Sequence, residues 1–237
     1  MDLFILAGGL GTRLRELVKD VPKPMALVKD EPFLNHVMRY WKKQGIKKIY
    51  ISIGYLGKVI KEYYGKSFEG TEINYIIENT PLGTGGAFLK FLKVFNSSHP
   101  FLMINGDTFF KVDLLDIEKY HNSLNSILTI CAFESENTKR YSNILHDEKG
   151  RIIEFGVKNS TINKKIICNG GVYLVSPLIY DYFVNYKKNK CSIENDLFEY
   201  LITRNKNIYV KLCKSPFLDI GLPNDYRRAE KFLNKGI

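Results

Sequence analysis

A glycine-rich segment with two cationic side chains lies close to the start of the chain. Residues 6–25 have the sequence LAGGLGTRLRELVKDVPKPM, in which Arg13 follows the glycines and Lys23 stands between two prolines. Gly8, Gly9 and Gly11 would allow backbone N–H groups to approach an anion closely. The Arg13 guanidinium can fork onto phosphate oxygens, and Lys23 adds a point charge. The whole pattern predicts a triphosphate site, whereas the glycines alone would favour a plain turn.

Two common phosphate-binding motifs are absent from the sequence. No G-x-x-x-x-G-K-[ST] string occurs, and a G-x-G-x-x-G motif beginning at Gly9 fails because its last position is Leu14. A kinase is disfavoured, since the chain lacks the first motif and has no candidate general base near the segment NGDT (105–108).

Two aspartates each come at the end of a short apolar run. Asp107 follows FLMIN (101–105), and Asp219 lies in FLDIG (217–221). A carboxylate at the end of a buried strand is a suitable hard ligand for Mg²⁺. A single aspartate in such a place more often forms a turn or caps a helix. From the residues alone, both interpretations stay open.

Short apolar runs alternate with helical patterns in the first half of the chain. This spacing predicts strands at 3–7, 48–53, 73–78 and 101–105 and helices at 32–45, 56–65 and 85–95. Such alternation favours right-handed βαβ units and a parallel sheet. The loops GGLGTR, NTPLGTGGA and NGDT then follow strand ends, where this kind of sheet binds ligands. Their convergence predicts one site.

The second half continues with strands and helices. Strands are predicted at 126–133, 151–155, 165–175, 209–213 and 216–221, with 165–175 in the centre of the sheet. Ser192 is the expected N-cap of a helix over 192–204, and Pro223 stands in the first turn of a closing helix over 223–233. No linker or repeat interrupts the pattern, so we expect a single domain over residues 1–237.

Composition excludes several classes of protein. The net charge is +10, but the lysines are spread out and the densest run, YKKNK (186–190), is short, which favours a solvated surface over nucleic-acid binding. The four cysteines form no CxxC pair, so we expect reduced, buried thiols and no zinc site. The chain shows no signal peptide or membrane span, and a soluble cytoplasmic protein is expected. The oligomeric state stays open, a homo-oligomer included.

The motifs together resemble those of a known family. LAGGLGTRL, PKPM, NTPLGTGGA, NGDTFF, NGGVYL, SIENDLF and FLDIGLPNDYRRA stand in the order and near the spacing of the sugar-1-phosphate nucleotidyltransferases. The resemblance covers almost the whole chain and is greatest to the D-glycero-D-manno-heptose 1-phosphate guanylyltransferase branch. It implies a Rossmann-like α/β fold with a mixed, mostly parallel sheet and helices on both faces. It also implies transfer of a nucleotidyl group from a nucleoside triphosphate to a sugar 1-phosphate, with release of pyrophosphate.

The resemblance also assigns roles to residues of the nucleotide site. It pairs Asp107 with Asp219 on Mg²⁺, places Arg13 on the departing pyrophosphate and places Lys23 near the α-phosphate. The sugar phosphate oxygen is already ionised at neutral pH, so no general base is needed. The nucleotide-binding residues that the resemblance implies are Leu6, Ala7, Gly8, Gly9, Gly11, Thr12, Arg13, Lys23, Glu78, Gly83, Thr84 and Asp107.

The sugar phosphate site is implied less directly. Its expected residues are Gly86, Asn105, Lys158, Asn169, Gly170 and Glu194. Lys158 matches the lysine of a family motif F-x-E-K, but this chain has Val157 where the family has glutamate. The difference suggests an altered acceptor pocket or a local shift in alignment. Lys158 could instead be a solvated lysine, and Glu194 could simply stabilise the first turn of its own helix.

Glu78 bears on the choice of base. It precedes NTPLGT, where many thymidylyl- and uridylyltransferases of this family have a glutamine. A glutamine donates and accepts, as the edge of uracil or thymine requires, whereas an ionised glutamate only accepts and suits the N1–H and N2–H₂ donors of guanine. Glu78 therefore favours GTP, although it could merely end a strand in solvent.

Three other functions are alternatives to that of a heptose 1-phosphate guanylyltransferase. The nearest is a uridylyl- or thymidylyltransferase acting on a hexose 1-phosphate. A catalytically inactive nucleotide-binding relative is disfavoured because Arg13, Lys23, Asp107 and Asp219 are all present. A nucleic-acid-binding module has only the net charge in its favour. No β-helical acyltransferase domain is expected after the last helix.

Overall fold

The computed structural model describes residues 1–9, 11, 14, 18, 20–136, 141, 143–156 and 165–234. The strands of that part are β1 (Asp2–Leu6), β2 (Leu27–Val28), β3 (Glu31–Pro32), β4 (Lys48–Ile53), β5 (Ser67–Phe68), β6 (Thr71–Ile77), β7 (Phe101–Asn105), β8 (Thr108–Phe110), β9 (Leu128–Ser135), β10 (Ile144–His146), β11 (Ile152–Phe155), β12 (Ile166–Val175), β13 (Ile208–Leu212) and β14 (Phe217–Asp219). The α-helices are α1 (Phe33–Lys43), α2 (Gly57–Tyr64), α3 (Gly83–Leu92), α4 (Leu114–Ser123), α5 (Ile179–Phe183), α6 (Glu199–Thr203) and α7 (Pro223–Leu233).

One large sheet organises the chain. Its eight strands lie in the order β13-β9-β12-β7-β1-β4-β6-β5. The strands β1, β4, β6, β7, β9 and β13 run in one direction, and β12 and β5 run against their neighbours. The predicted α/β fold with a mixed, mostly parallel sheet is confirmed, as is the interior position of the strand at 165–175.

The sheet is covered by helices on both faces. Along β1, Leu3 and Ile5 pack into one hydrophobic cluster with side chains of α1, α2, α4 and α7, whereas Phe4 packs into a second cluster with α3, α5 and α6. Because successive side chains of a strand point to opposite faces, this alternation assigns the two clusters to the two faces. Phe4 stacks on Phe91 of α3 with a centroid separation of 4.2 Å. The predicted two-sided architecture is confirmed.

The helix predicted over 192–204 is wound differently from the expectation. Residues Ile193–Phe198 form a π-helix, and α6 follows directly. Ser192 is the N-cap as predicted, since its Oγ accepts a hydrogen bond from Asn195 N. However, Asp196 Oδ2 accepts from Ser192 N, four residues away, where a capping box has three. This longer reciprocal contact is compatible with a wider first turn.

The four cysteines are free thiols, with Cys131, Cys168 and Cys191 buried and Cys213 half-buried. Burial raises the pKa of Cys168 to about 12, so this thiol stays protonated. Three of the four thiols are thus buried as expected, whereas Cys213 is only partly so. No helix in the described part of the chain is both long and apolar enough to span a membrane.

Candidate active site

The ends of several parallel strands surround a cavity of about 540 Å³. It contains residues from all three loops whose convergence the sequence predicts, together with the turn around Lys23. The described residues that line it are Leu6, Ala7, Gly8, Gly9, Gly11, Lys23, Pro24, Glu78, Pro81, Gly83, Thr84, Ala87, Asn105, Asp107, Lys190 and Gly221. The structure thus brings Asn105 and ten of the residues expected at the nucleotide together in one place.

A short antiparallel ribbon places two aspartates side by side. β14 pairs with β8, with Asp219 opposite Thr108, and Ile220 N donates a hydrogen bond to Asp107 O. Lys23 Nζ lies 2.5 Å from Asp107 Oδ2 and 3.3 Å from Asp219 Oδ1. The Lys23 side chain is only 10% exposed, so the ion pair is strengthened by its partial separation from water.

The aspartate pair fits a divalent cation. Two carboxylates that converge on one ammonium can also converge on a hard metal ion, and Mg²⁺ is commonly held by one or two carboxylates together with substrate phosphates. Within the described ranges, no group of three or more His, Cys, Asp or Glu side chains could hold a metal. A metal at this pair would therefore take its remaining ligands from phosphate and water.

Lys23 is held by the two prolines that flank it. Pro22 has φ −65° and ψ 150°, and a 3₁₀ turn over Lys23–Met25 follows with Met25 N donating to Pro22 O. Pro24 and Met25 are buried, which fixes this turn on the core. Gly11 has a φ of +60°, and a Cβ there would lie 3.3 Å from Lys23 Cβ. The glycine loop consequently packs directly against the lysine.

Glu78 is held on both of its carboxylate oxygens. Ser52 Oγ donates to Glu78 Oε1 over 2.8 Å, and Leu82 N donates to Glu78 Oε2 over 3.2 Å. A Cβ at Gly8 would lie 2.2 Å from Glu78 Oε1. The absence of a side chain at position 8 therefore makes room for this carboxylate, a reason that the sequence alone did not reveal.

Lys190 lines the cavity although the sequence predicts a solvated surface for its segment. The reason is the tight packing of residues 189–193 against the start of α3. A Cβ at Gly83 would lie 2.5 Å from Cys191 O, and one at Gly86 would lie 2.2 Å from Asn189 O. Cys191 N donates to Leu82 O and Gly85 N donates to Cys191 O. The glycines of NTPLGTGGA thus allow a distant segment to cross over them.

Four residues expected at the sugar phosphate do not line this cavity. Gly86, Asn169, Gly170 and Glu194 are not among the described residues that line the cavity. Asn169 Nδ2 donates to Glu194 Oε1 and to the hydroxyl of Tyr173, whose pKa is raised by burial. A Cβ at Gly170 would lie 2.4 Å from the Phe110 ring. Thr12, Arg13, Val157 and Lys158 lie outside the described residues.

Comparison with known proteins agrees with this architecture. The family model described as nucleotidyl transferase matches residues 3–236. The D-glycero-alpha-D-manno-heptose 1-phosphate guanylyltransferase of Aneurinibacillus thermoaerophilus is 38% identical over 233 residues, covering 98% of both chains. The protein of the same name from Campylobacter jejuni is 40% identical over 232 residues, covering 95% of this chain and 97% of the relative.

A solved structure is also similar. The crystal structure of HddC from Yersinia pseudotuberculosis has a TM-score of 0.83 and 34% identity, covering 97% of this chain and 98% of that one. A structure of the same protein complexed with GMP-PN has a TM-score of 0.81. The chain belongs to the nucleotidyl transferase family, as the sequence motifs imply.

Proposed function

We propose that this protein transfers GMP from GTP to D-glycero-α-D-manno-heptose 1-phosphate, forming GDP-heptose and pyrophosphate. The observation that carries the choice of nucleotide is the acceptor-only Glu78 carboxylate in the same cavity as Lys23 and Asp107. The names of the two guanylyltransferases above support both the nucleotide and the sugar.

Guanine offers adjacent N1–H and N2–H₂ donors on one edge. Each carboxylate oxygen of Glu78 already accepts one hydrogen bond from the protein, and an oxygen of this kind can accept a second. Glu78 therefore keeps acceptor capacity for the base. Uracil and thymine present a carbonyl oxygen beside N3–H, which a carboxylate cannot satisfy.

In the transfer step, an ionised oxygen of the sugar phosphate attacks the α-phosphorus of GTP. A new P–O bond forms while the bond from the α-phosphorus to the bridging oxygen breaks, and pyrophosphate leaves with the electron pair. The main requirement is to bring two polyanions together and to stabilise the charge that develops. Lys23 supplies an ammonium for the α-phosphate, and Arg13 is assigned to the departing pyrophosphate by family resemblance alone.

Asp107 and Asp219 are the proposed holders of Mg²⁺. The ion would supply charge neutralisation at the phosphates. The acceptor side is proposed to use Asn105 and Lys190, which line the cavity, together with the residues implied by the family, Gly86, Lys158, Asn169, Gly170 and Glu194.

The proposal is tested by substituting Glu78, the residue proposed to recognise the base. We expect wild-type kcat/KM for GTP to exceed that for UTP, and Glu78→Gln to reduce this ratio about tenfold or more, because a hydrogen bond to a charged group is replaced. Glu134→Gln, an exposed glutamate outside the cavity, is the matched control and should leave the ratio unchanged. An unchanged ratio in Glu78→Gln would contradict the role of Glu78.

A further inference from the structure

Ser52 is a fully buried serine on β4, with no exposed surface. Its hydroxyl donates to Glu78 Oε1 over 2.8 Å. The neighbouring backbone brings the two residues together, since Glu78 N donates to Ile53 O at the end of the paired strands β4 and β6. A hydrogen bond thus joins the Glu78 carboxylate, which lines the cavity, to a buried side chain of the sheet.

The second hydrogen bond to Glu78 comes from the end of an exposed loop. Leu82 N donates to Oε2, but residues 79–81, which connect Glu78 to Leu82, are exposed. Ser52 by contrast lies on an interior strand, where its backbone also pairs with β1 because Ala7 N donates to Ser52 O. The hydroxyl of Ser52 is therefore the more rigid of the two contacts.

Backbone atoms that lie close to Glu78 restrict its side chain further. Gly8 leaves no room for a Cβ, and a Cβ at Gly54 would lie 3.5 Å from Glu78 Cβ. Each oxygen of the Glu78 carboxylate accepts one hydrogen bond from the protein, and the backbone at Gly8 and Gly54 lies close to the side chain. These contacts fix the orientation of the carboxylate. Its orientation in turn determines which of its remaining acceptor positions face the cavity. A buried polar side chain whose bond is made to a charged group contributes more than an ordinary hydrogen bond.

We propose that Ser52 is a positioning residue for base recognition: its hydroxyl orients the Glu78 carboxylate towards the donor edge of guanine. The inference rests on the proposed function, because it takes Glu78 as the residue that contacts the base. Ser52 itself contacts no substrate atom in this account, and its effect on the base passes through Glu78.

The test compares GTP with inosine triphosphate, which lacks only the 2-amino donor of guanine. Steady-state kcat and KM are measured for both nucleotides at saturating heptose 1-phosphate. We expect Ser52→Ala to raise KM for GTP about tenfold with kcat within about twofold, and to reduce the preference for GTP over inosine triphosphate. Ser52→Thr keeps the hydroxyl and should restore the preference.

A double variant separates positioning from general damage. If Ser52 acts through Glu78, Ser52→Ala combined with Glu78→Gln should discriminate no worse than Glu78→Gln alone, because the two effects are not additive. Ser126→Ala is the matched control, since Ser126 is a buried serine whose Oγ also donates over 2.8 Å, to Leu128 O. If Ser52→Ala is too unstable to assay, Ser52→Cys keeps the volume and weakens the donor.

The inference would be overturned if Ser52→Ala kept the wild-type preference for GTP over inosine triphosphate while Glu78→Gln lost that preference. This result would leave the proposed function intact. Failure of the proposed function is distinguishable, because the wild-type enzyme itself would then prefer a nucleotide other than GTP.

Discussion

Lys23 Nζ lies 2.5 Å from Asp107 Oδ2, and both residues line the cavity. The same nitrogen lies 3.3 Å from Asp219 Oδ1, so one ammonium bridges two carboxylates and the three side chains together keep a net charge of −1. Under the proposed function, phosphate oxygens of a bound nucleotide would compete for Lys23, and a divalent cation would compete for the aspartates. The arrangement places one ammonium and two carboxylates next to each other at the proposed phosphate site.

The aspartates should be required for turnover but not for folding. We expect Asp107→Asn and Asp219→Asn each to lower kcat by about 100-fold or more, since each removes a charge needed for metal binding. Pyrophosphate release measures the rate, and thermal unfolding should show that the fold is kept. Asp181→Asn, an exposed aspartate on α5, is the control. Near-normal rates in both variants would contradict the metal assignment.

Lys23 should act mainly in the transition state. We expect Lys23→Ala to lower kcat about 100-fold while the dissociation constant of GTP changes about fivefold or less, because its charge matters most as charge develops at the α-phosphorus. Single-turnover rates and calorimetry separate the two quantities. A variant with weak GTP binding and normal kcat would show that Lys23 serves ground-state binding instead.

The sequence predicted the fold well because strands and helices depend on local patterns. The apolar runs at 48–53 and 101–105 became β4 and β7 with those bounds. The sequence also predicted that the loops containing Gly8, Gly83 and Asp107 converge, since parallel strands end at one edge of the sheet.

What the sequence did not predict depends on contacts between distant segments. Lys190 belongs to a lysine-rich run, and nothing local indicates that residues 189–193 cross the glycines of α3. The buried hydroxyl of Ser52 is one small polar residue within an apolar strand, KIYISI, and its partner lies 26 residues away. The wide turn at 193–198 likewise accompanies a contact in which Ser192 N donates to the side chain of Asp196.

Two adjacent glycines should respond differently to the same substitution. Gly8→Ala would place a Cβ 2.2 Å from Glu78 Oε1, whereas a Cβ at Gly9 has no heavy atom within 4 Å. We expect Gly8→Ala to displace the carboxylate and raise KM for GTP about tenfold, with Gly9→Ala close to the wild type. Equal effects of the two substitutions would mean that the loop needs its glycines for another reason.

His121 should make stability depend on pH. It is buried against Thr129, and desolvation lowers its pKa to about 4 from an ordinary value of 6.5. The unfolded chain therefore takes up a proton more readily as the pH falls from 6.5 towards 4, and the folded state loses about 2 kcal/mol between pH 7 and pH 5 from this group. Urea unfolding at both pH values measures the loss. His121→Asn should remove most of this difference, and an unchanged difference would exclude His121 as its source.

The most direct measurement is pyrophosphate release with GTP, ATP, CTP, UTP and dTTP, each supplied with Mg²⁺ and D-glycero-α-D-manno-heptose 1-phosphate. The account predicts that GTP gives a kcat/KM about tenfold or more above every other nucleotide, with GDP-heptose as the product. Faster release with UTP or dTTP would contradict the recognition of guanine by Glu78.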